Sequence, residues 1–339
     1  MEYKNLNEYL ISKETETYNK SYAWKTAIGL QKVDNLETSE YLYETAKKSI
    51  DNEITFEEAK KLINTYYESK PNNDRTEEAD KVAIRIAEIL SEKTFNFSSI
   101  EYISIHYRLF NGIYEHAGKL REYNISKKEW VLNGESVIYG NFLNLKETLE
   151  YDLKEEKNFS YKGISTNDMI SHISRFVSNL WQNHIFAEGN TRTTAVFLIK
   201  YLNKLGFDIT NDMFLDNSWY FRNALVRANY TNIKNGIYDT TYYLELFMRN
   251  LLLNESNKLS NRQMHIYYKE NMYQQPINDE ELLIIIFKEN PNITLDDVAI
   301  KINKSVRTVK TVVKKLVEEN KLIRVGSKKL GKWIVKENA

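Results

Sequence analysis

Asn183-His-Ile-Phe-Ala-Glu-Gly-Asn-Thr-Arg-Thr-Thr-Ala195 joins two stretches of helical periodicity, and its reading decides the architecture. Upstream, Met169, Ile170, Ile173, Phe176, Val177, Leu180 and Trp181 recur at helical spacing, which predicts a helix ending near His184 with that ring on or beside the buried stripe. Downstream, Val196, Phe197, Ile199, Tyr201 and Leu202 begin a second helix that Gly206 closes. Between them, Glu188-Gly-Asn-Thr-Arg192 is a turn opening into a helix. That geometry points backbone N–H groups at an anion and adds the positive end of the helix dipole.

The residue types in this junction define a chemistry. Backbone N–H groups from Gly189 to Thr191, the Asn190 amide and the Arg192 guanidinium all offer donors suited to a polyphosphate. Gly189 allows close approach of the backbone. Glu188 offers one hard oxygen ligand, in keeping with a magnesium ion shared with substrate phosphates. His184, one turn away, is suited to accept a hydroxyl proton near neutral pH, and Phe186 plugs into the core and fixes the loop. Base, carboxylate and anion cradle within nine residues describe a site where a hydroxyl attacks a nucleotide phosphate. Each residue also has an ordinary role: a helix-terminal His caps or packs, a lone Glu is solvated, and Gly-Asn closes a helix.

The rest of the chain supports a mainly α protein. Of 339 residues, 42% are apolar, enough for a large core and two or three domains. Three prolines and eleven glycines against long Leu, Ile, Glu and Lys runs favour helices. No cysteine is present, which excludes disulfides and cysteine-based metal or nucleophilic sites. No apolar run reaches signal or membrane-span length, so a cytoplasmic protein without a membrane partner is expected. Lys plus Arg and Asp plus Glu balance at 47 each, so nucleic-acid affinity would need a local patch.

Residues 1–75 read as a helical region of their own, with helices at Asn5–Ile11 and Ser39–Ile50 and a capped start at Thr55-Phe-Glu-Glu58. After a linker at Ser69–Asp74, the main domain runs over 76–255, with helices over Glu77–Leu90 and Ile100–Tyr114. Trp130-Val-Leu, Asn133-Gly134 and Glu135-Ser-Val-Ile-Tyr139 predict a β-hairpin, which must lean on the domain or be completed by a partner. Ser165 or Thr166 caps the helix that delivers His184, and helices at Phe214–Tyr230 and Tyr238–Leu253 close the domain. Residues 256–278 form a linker. In 279–337 a helix at Glu281–Phe287, a start at Thr294, a second helix capped by Ser305 and a hairpin with a basic tip resemble a winged helix. Between Lys301 and Lys336 stand twelve Lys or Arg and two Glu; Arg307, Lys310, Lys314 and Lys315 are candidate DNA contacts.

At the junction the chain resembles the Fic family, whose signature reads His-x-Phe-x-Asp/Glu-Gly-Asn-Gly-Arg-x-x-Arg. His184, Phe186, Glu188, Gly189, Asn190 and Arg192 match it, and Tyr114-Glu-His-Ala-Gly-Lys-Leu-Arg121 is similar to the stretch that precedes the family's hairpin. The resemblance implies a Fic-type helical core with a β-hairpin flap and transfer of AMP from ATP, with magnesium, to a Ser, Thr or Tyr hydroxyl of a protein. On that reading His184 is the base and Glu188 the metal ligand. Gly189, Asn190, Thr191 and Arg192 would bind the nucleotide, Tyr220 would neighbour the adenine, and the flap around Val137 and Ile138 would hold the target by strand addition. Thr191 departs from the family's second Gly and Ala195 from its second Arg, the clamp on the terminal phosphate. The family's inhibitory pattern Ser/Thr-x-x-x-Glu-Gly/Asn has no full match, since Ser49 to Glu53 is followed by Ile54 and Ser12 to Glu16 by Thr17. The enzyme is therefore expected to escape the usual glutamate, or to be restrained otherwise by residues 1–75. Alternative readings are a DNA-binding regulator with a non-catalytic nucleotide site, transfer of another phosphate-containing group, or AMP removal. A homo-oligomer is compatible with all of them.

Overall fold

Ser165 starts the helix that delivers the junction, its hydroxyl accepting from the Asp168 N–H at 3.1 Å, and the helix then runs over Thr166–Asn183. Its partner, Asn190–Lys204, is buried on every side from Asn190 to Leu202. A helix wrapped all round must satisfy its polar side chains internally. Thr193 donates back to the Gly189 carbonyl at 3.0 Å, and the Thr194 hydroxyl pairs with that of Tyr102 at 2.8 Å.

In the computed structural model, residues 15–70, 75–209, 211–268, 279–302, 304–326 and 331–336 are described, in two units, Met1–Tyr268 and Lys269–Ala339. The first unit consists of helices α1 (Thr15–Gly29), α2 (Glu40–Ile50), α3 (Phe56–Glu68), α4 (Thr76–Ser91), α5 (Ser99–Phe110), α6 (Leu145–Asn158), α7 (Thr166–Asn183), α8 (Asn190–Lys204), α9 (Met213–Ala228), α10 (Tyr242–Leu253) and the short α11 (Asn261–Met264). Helices α5 and α7 flank α8, with α9 and α10 packed on α7. No helix among the described residues is long and apolar enough to cross a membrane.

Two expectations need correction. The described part of residues 1–75 does not stand apart: α1 packs along α4, and Trp24, Ala27, Leu30 and Val33 lie fully buried in the same core as Phe186 and Phe197. Burying a side chain such as Leu30 or Val33 contributes about 1.5–3 kcal/mol, so this region is part of the domain's stability. The stretches Asn5–Ile11 and Pro71–Asp74 lie outside the described residues.

The hairpin at Trp130–Tyr139 is not formed. Trp130–Leu132 is a turn of 3-10 helix, and Asn133 (φ 54°) with Gly134 (φ 87°) makes the tight turn that Asn-Gly predicts. The flanks do not pair as strands because Val131 and Leu132 are consecutive and both fully buried, which a strand's alternation forbids. Glu129 anchors the loop instead, its carbonyl accepting from Gly134 N–H at 2.9 Å and its buried carboxylate taking the Arg222 guanidinium at 2.6 and 3.1 Å.

In the second unit α12 (Asp279–Glu289), α13 (Leu295–Lys301) and α14 (Val306–Glu318) precede an antiparallel pair, β1 (Leu322–Val325) and β2 (Lys332–Val335), with Leu322 opposite Val335 and Val325 opposite Lys332. Ser305 caps α14 through the Thr308 N–H at 3.1 Å, as its position predicts. Val309, Val313 and Leu316 on one face of α14 pack with Leu283, Phe287, Val298 and Trp333, leaving Arg307, Lys310 and Lys314 exposed. The hairpin tip, Ser327–Leu330, lies outside the described residues.

Candidate active site

His184 ends α7 in the left-handed region, φ 47° and ψ 53°, a conformation costing a non-glycine residue roughly 1–2 kcal/mol. Hydrogen bonds offset that strain. The His184 N–H donates to the Trp181 carbonyl at 3.1 Å, and the His184 carbonyl accepts from Arg121 Nε at 2.7 Å. The ring's Nδ1 also lies 3.2 Å from the Trp181 carbonyl. A carbonyl can only accept, so Nδ1 carries the proton and Nε2 keeps its lone pair, the tautomer a general base needs. Burial of the ring, which is 3% exposed, and then the nearby Lys127 charge hold the imidazole pKa well below its usual value. His184 is thus neutral at physiological pH, with the Tyr139 ring 4.3 Å away, centroid to centroid.

Glu188 is half exposed, and among the described residues its carboxylate meets only the Lys127 ammonium, 3.3 Å away. No cluster of three or more His, Asp or Glu side chains among the described residues is arranged to hold a metal ion. A single open carboxylate at a helix N-terminus nevertheless fits magnesium, which keeps its waters and takes its other oxygens from phosphates. Gly189 has φ 76°, and a Cβ there would stand 2.4 Å from the Phe110 ring, so both backbone and space require glycine. It opens α8, whose first N–H groups, those of Asn190, Thr191 and Arg192, have no intrahelical acceptor.

The side chains of that first turn do something different from what was expected. Asn190 is buried and closes the loop, its Oδ1 accepting from the Phe186 N–H at 3.0 Å and its Nδ2 donating to the Phe186 carbonyl at 2.7 Å. Thr191 turns its hydroxyl to the Trp181 indole N–H at 3.0 Å, so the added Cβ and oxygen are absorbed by α7. Arg192 is fully buried. Its Nη2 donates to Glu78 at 2.7 Å and to the Tyr114 hydroxyl at 3.2 Å, and its Nη1 to Gln31 at 3.1 Å. Nε makes an ion pair with Asp34 at 2.8 Å, off the hydrogen-bond axis, and the guanidinium lies 4.8 Å over the Phe110 ring. The guanidinium expected on a phosphate is therefore engaged by Asp34, Glu78, Gln31 and Tyr114, and the Asn190 amide by the Phe186 backbone. Ala195 is buried in the core. Tyr220 is buried too, its hydroxyl on the Tyr243 carbonyl at 3.1 Å, which is core packing. Of the flap pair, Val137 is buried and Ile138 is 85% exposed.

Several residues that shape the site carried no assignment from sequence. Arg121 donates to the carbonyls of His184, Tyr123 and Gly140, so it ties the base to the 136–140 segment. His106 accepts the Gly118 N–H on Nδ1 at 2.9 Å and therefore donates from Nε2 to the Glu188 carbonyl at 3.0 Å, while its ring stacks on Phe186 at 3.6 Å. Burial pushes its pKa down to about 3, which keeps it neutral. Arg121 closes the quoted stretch Tyr114–Arg121, but nothing in its spacing tells which carbonyls it meets.

Residues 96–202, which contain the base, the open carboxylate and the helix N-terminus, match the family model described as Fic/DOC family. The chain carries a Fic domain. A second family model, described as winged helix-turn-helix DNA-binding, matches residues 277–323. A solved structure described as a Fic family protein from Desulfovibrio desulfuricans G20 aligns with 99% of this chain and 92% of that chain, at 12% identity and a TM-score of 0.44. The Fic match begins at residue 96, whereas three of the partners of its Arg192, Gln31, Asp34 and Glu78, lie before it.

Proposed function

We propose that the Fic domain transfers AMP from ATP to a Ser, Thr or Tyr hydroxyl of a protein. The observation that carries this reading is a neutral His184, with its proton on Nδ1, beside an open carboxylate and a helix N-terminus. Nε2 of His184 takes the proton of the target hydroxyl as its oxygen bonds to the α-phosphorus, and the bond to the bridging oxygen breaks to release pyrophosphate. The free N–H groups at the start of α8 stabilise the charge on the phosphoryl oxygens. A magnesium ion, when bound through Glu188, supplies neutralising charge to the phosphates. Arg121 and His106 hold the base and the Glu188 backbone in place.

Incubating the purified protein with ATP labelled on the α-phosphate, and separately on the γ-phosphate, tests the reaction type. Label from the α-phosphate alone, with a mass gain of one AMP on protein, is the expected result. Label from the γ-phosphate, or from neither, overturns AMP transfer.

A second activity resides in the winged-helix unit. Arg307 and Lys310 are exposed on α14 and have no carboxylate partner among the described residues, whereas Lys314 pairs with Glu318 and Lys315 with Glu280. They suit phosphate contacts on duplex DNA. In a gel shift, changing both to alanine is expected to weaken binding and to reduce the slope of log affinity against log salt by about 2. An unchanged slope removes these two side chains from the contact.

A further inference from the structure

The Fic site presents a charge problem. A nucleotide polyphosphate needs cationic side chains, yet Ala195 carries no charge, and Arg192 is fully buried among Asp34, Glu78 and Gln31. Two other cations near His184 are also committed. Arg222 is held by the buried Glu129 through two contacts, and Arg121 spends its donors on backbone carbonyls. Lys127 differs from all of these. It stands on the loop before the 3-10 turn, where its backbone N–H donates to the Ser136 hydroxyl at 3.1 Å, so the start of its side chain is anchored. Among the described residues its ammonium meets only the Glu188 carboxylate, at 3.3 Å, with the two side chains 27% and 52% exposed. A long, solvated ion pair of that kind contributes little and exchanges partners at low cost.

We infer that Lys127 is a substrate-contacting residue of this site, its ammonium leaving Glu188 to bind a nucleotide phosphate when a divalent cation takes that carboxylate. The inference rests on the AMP-transfer reading above. Its logic is electrostatic. A divalent ion alone must displace a like-charged ammonium from Glu188, which opposes binding. With nucleotide present, the phosphates accept both cations, and the opposition becomes a shared attraction. Lys127 thereby takes the place of the missing second Arg, and metal and nucleotide bind better together than apart.

The two halves of the argument predict opposite signs for one substitution. In calorimetric titrations of the full chain, Lys127→Gln is expected to bind manganese alone about threefold more tightly, because the competing ammonium is gone. The same variant is expected to bind α,β-methylene-ATP with magnesium about tenfold more weakly, and Lys127→Arg to stay within about threefold of the native chain in both titrations. A tether role for Lys127 would move both affinities in one direction or neither. Unchanged nucleotide affinity in Lys127→Gln, or weaker manganese binding, overturns the assignment of Lys127. A native chain that binds no nucleotide overturns the AMP-transfer reading itself, and the inference with it. Far-UV circular dichroism of each variant separates loss of binding from loss of fold.

Discussion

His184→Ala is expected to remove AMP transfer, a loss of about 10²–10⁴-fold, while the helical fold remains. The ring packs against Tyr139 and Trp181, so its removal lowers stability, but the local conformation is held by backbone contacts the substitution keeps, the Arg121 Nε–carbonyl bond among them. Label transfer from α-labelled ATP and far-UV circular dichroism together check this, and transfer that survives in the variant would exclude His184 as the base. The pH profile of AMP transfer by the native chain follows from the same geometry. Burial and the Lys127 charge depress the His184 pKa, so the neutral, proton-accepting form persists as pH falls through the ordinary imidazole value near 6.5. No loss of activity centred there is expected; a half-maximal drop at that pH indicates a base titrating as an open imidazole.

Arg192→Ala has the second largest expected effect, and it falls on stability. In the native chain Arg192 and Arg75 face Asp34 and Glu78, a cluster of balanced charge threaded by the Tyr114 hydroxyl. Removing the buried member leaves two carboxylates facing one exposed guanidinium. Breaking a buried pair from one side costs about 3–5 kcal/mol, here roughly 10 °C in thermal midpoint. The same cluster sets an acid limit. Burial raises the Glu78 pKa, but the hydrogen bond from Arg75 and the Arg192 charge outweigh it and hold that carboxyl below the usual range. A depressed carboxyl contributes stability above its unfolded pKa, and the contribution is lost as pH falls through the folded value. Thermal melts of the native chain and the variant should therefore converge as pH drops below the ordinary carboxylate range. A variant as stable as the native chain at neutral pH would contradict the structural role of Arg192.

The junction was legible because several signals coincide there. The apolar stripe of α7, the Ser165 cap and the left-handed Gly189 each leave a mark in the order of residue types. Helix α1 left no such mark. Tyr22, Ala23, Trp24, Ala27 and Ile28 are buried on several of its faces, so no single stripe appears and periodicity fails as a guide. Asn133-Gly134 forms the tight turn its residue types dictate, but the strands it implies give way to a buried Val131-Leu132 pair and to the Glu129–Arg222 ion pair, contacts set by residues far along the chain. Arg192 shows the same limit in chemical terms. A guanidinium in an anion-binding sequence has two suitors, phosphate and carboxylate, and Asp34 lies more than 150 positions away in the chain. Gln31 and Asp34 belong to no glutamate pattern, and it is their 3-10 turn, Leu30–Asp34, that brings them to α8.

That 3-10 turn separates the unit of homology from the unit of folding. The family match opens at residue 96, but the helix carrying the site is closed off from behind by a turn some sixty residues earlier. A fragment trimmed to the matched span would bare the apolar wall that Trp24, Leu30 and Val33 cover and strand Arg192 without its acids. Heredity and cooperativity thus draw different borders on this chain, and the wider one decides where it can be cut.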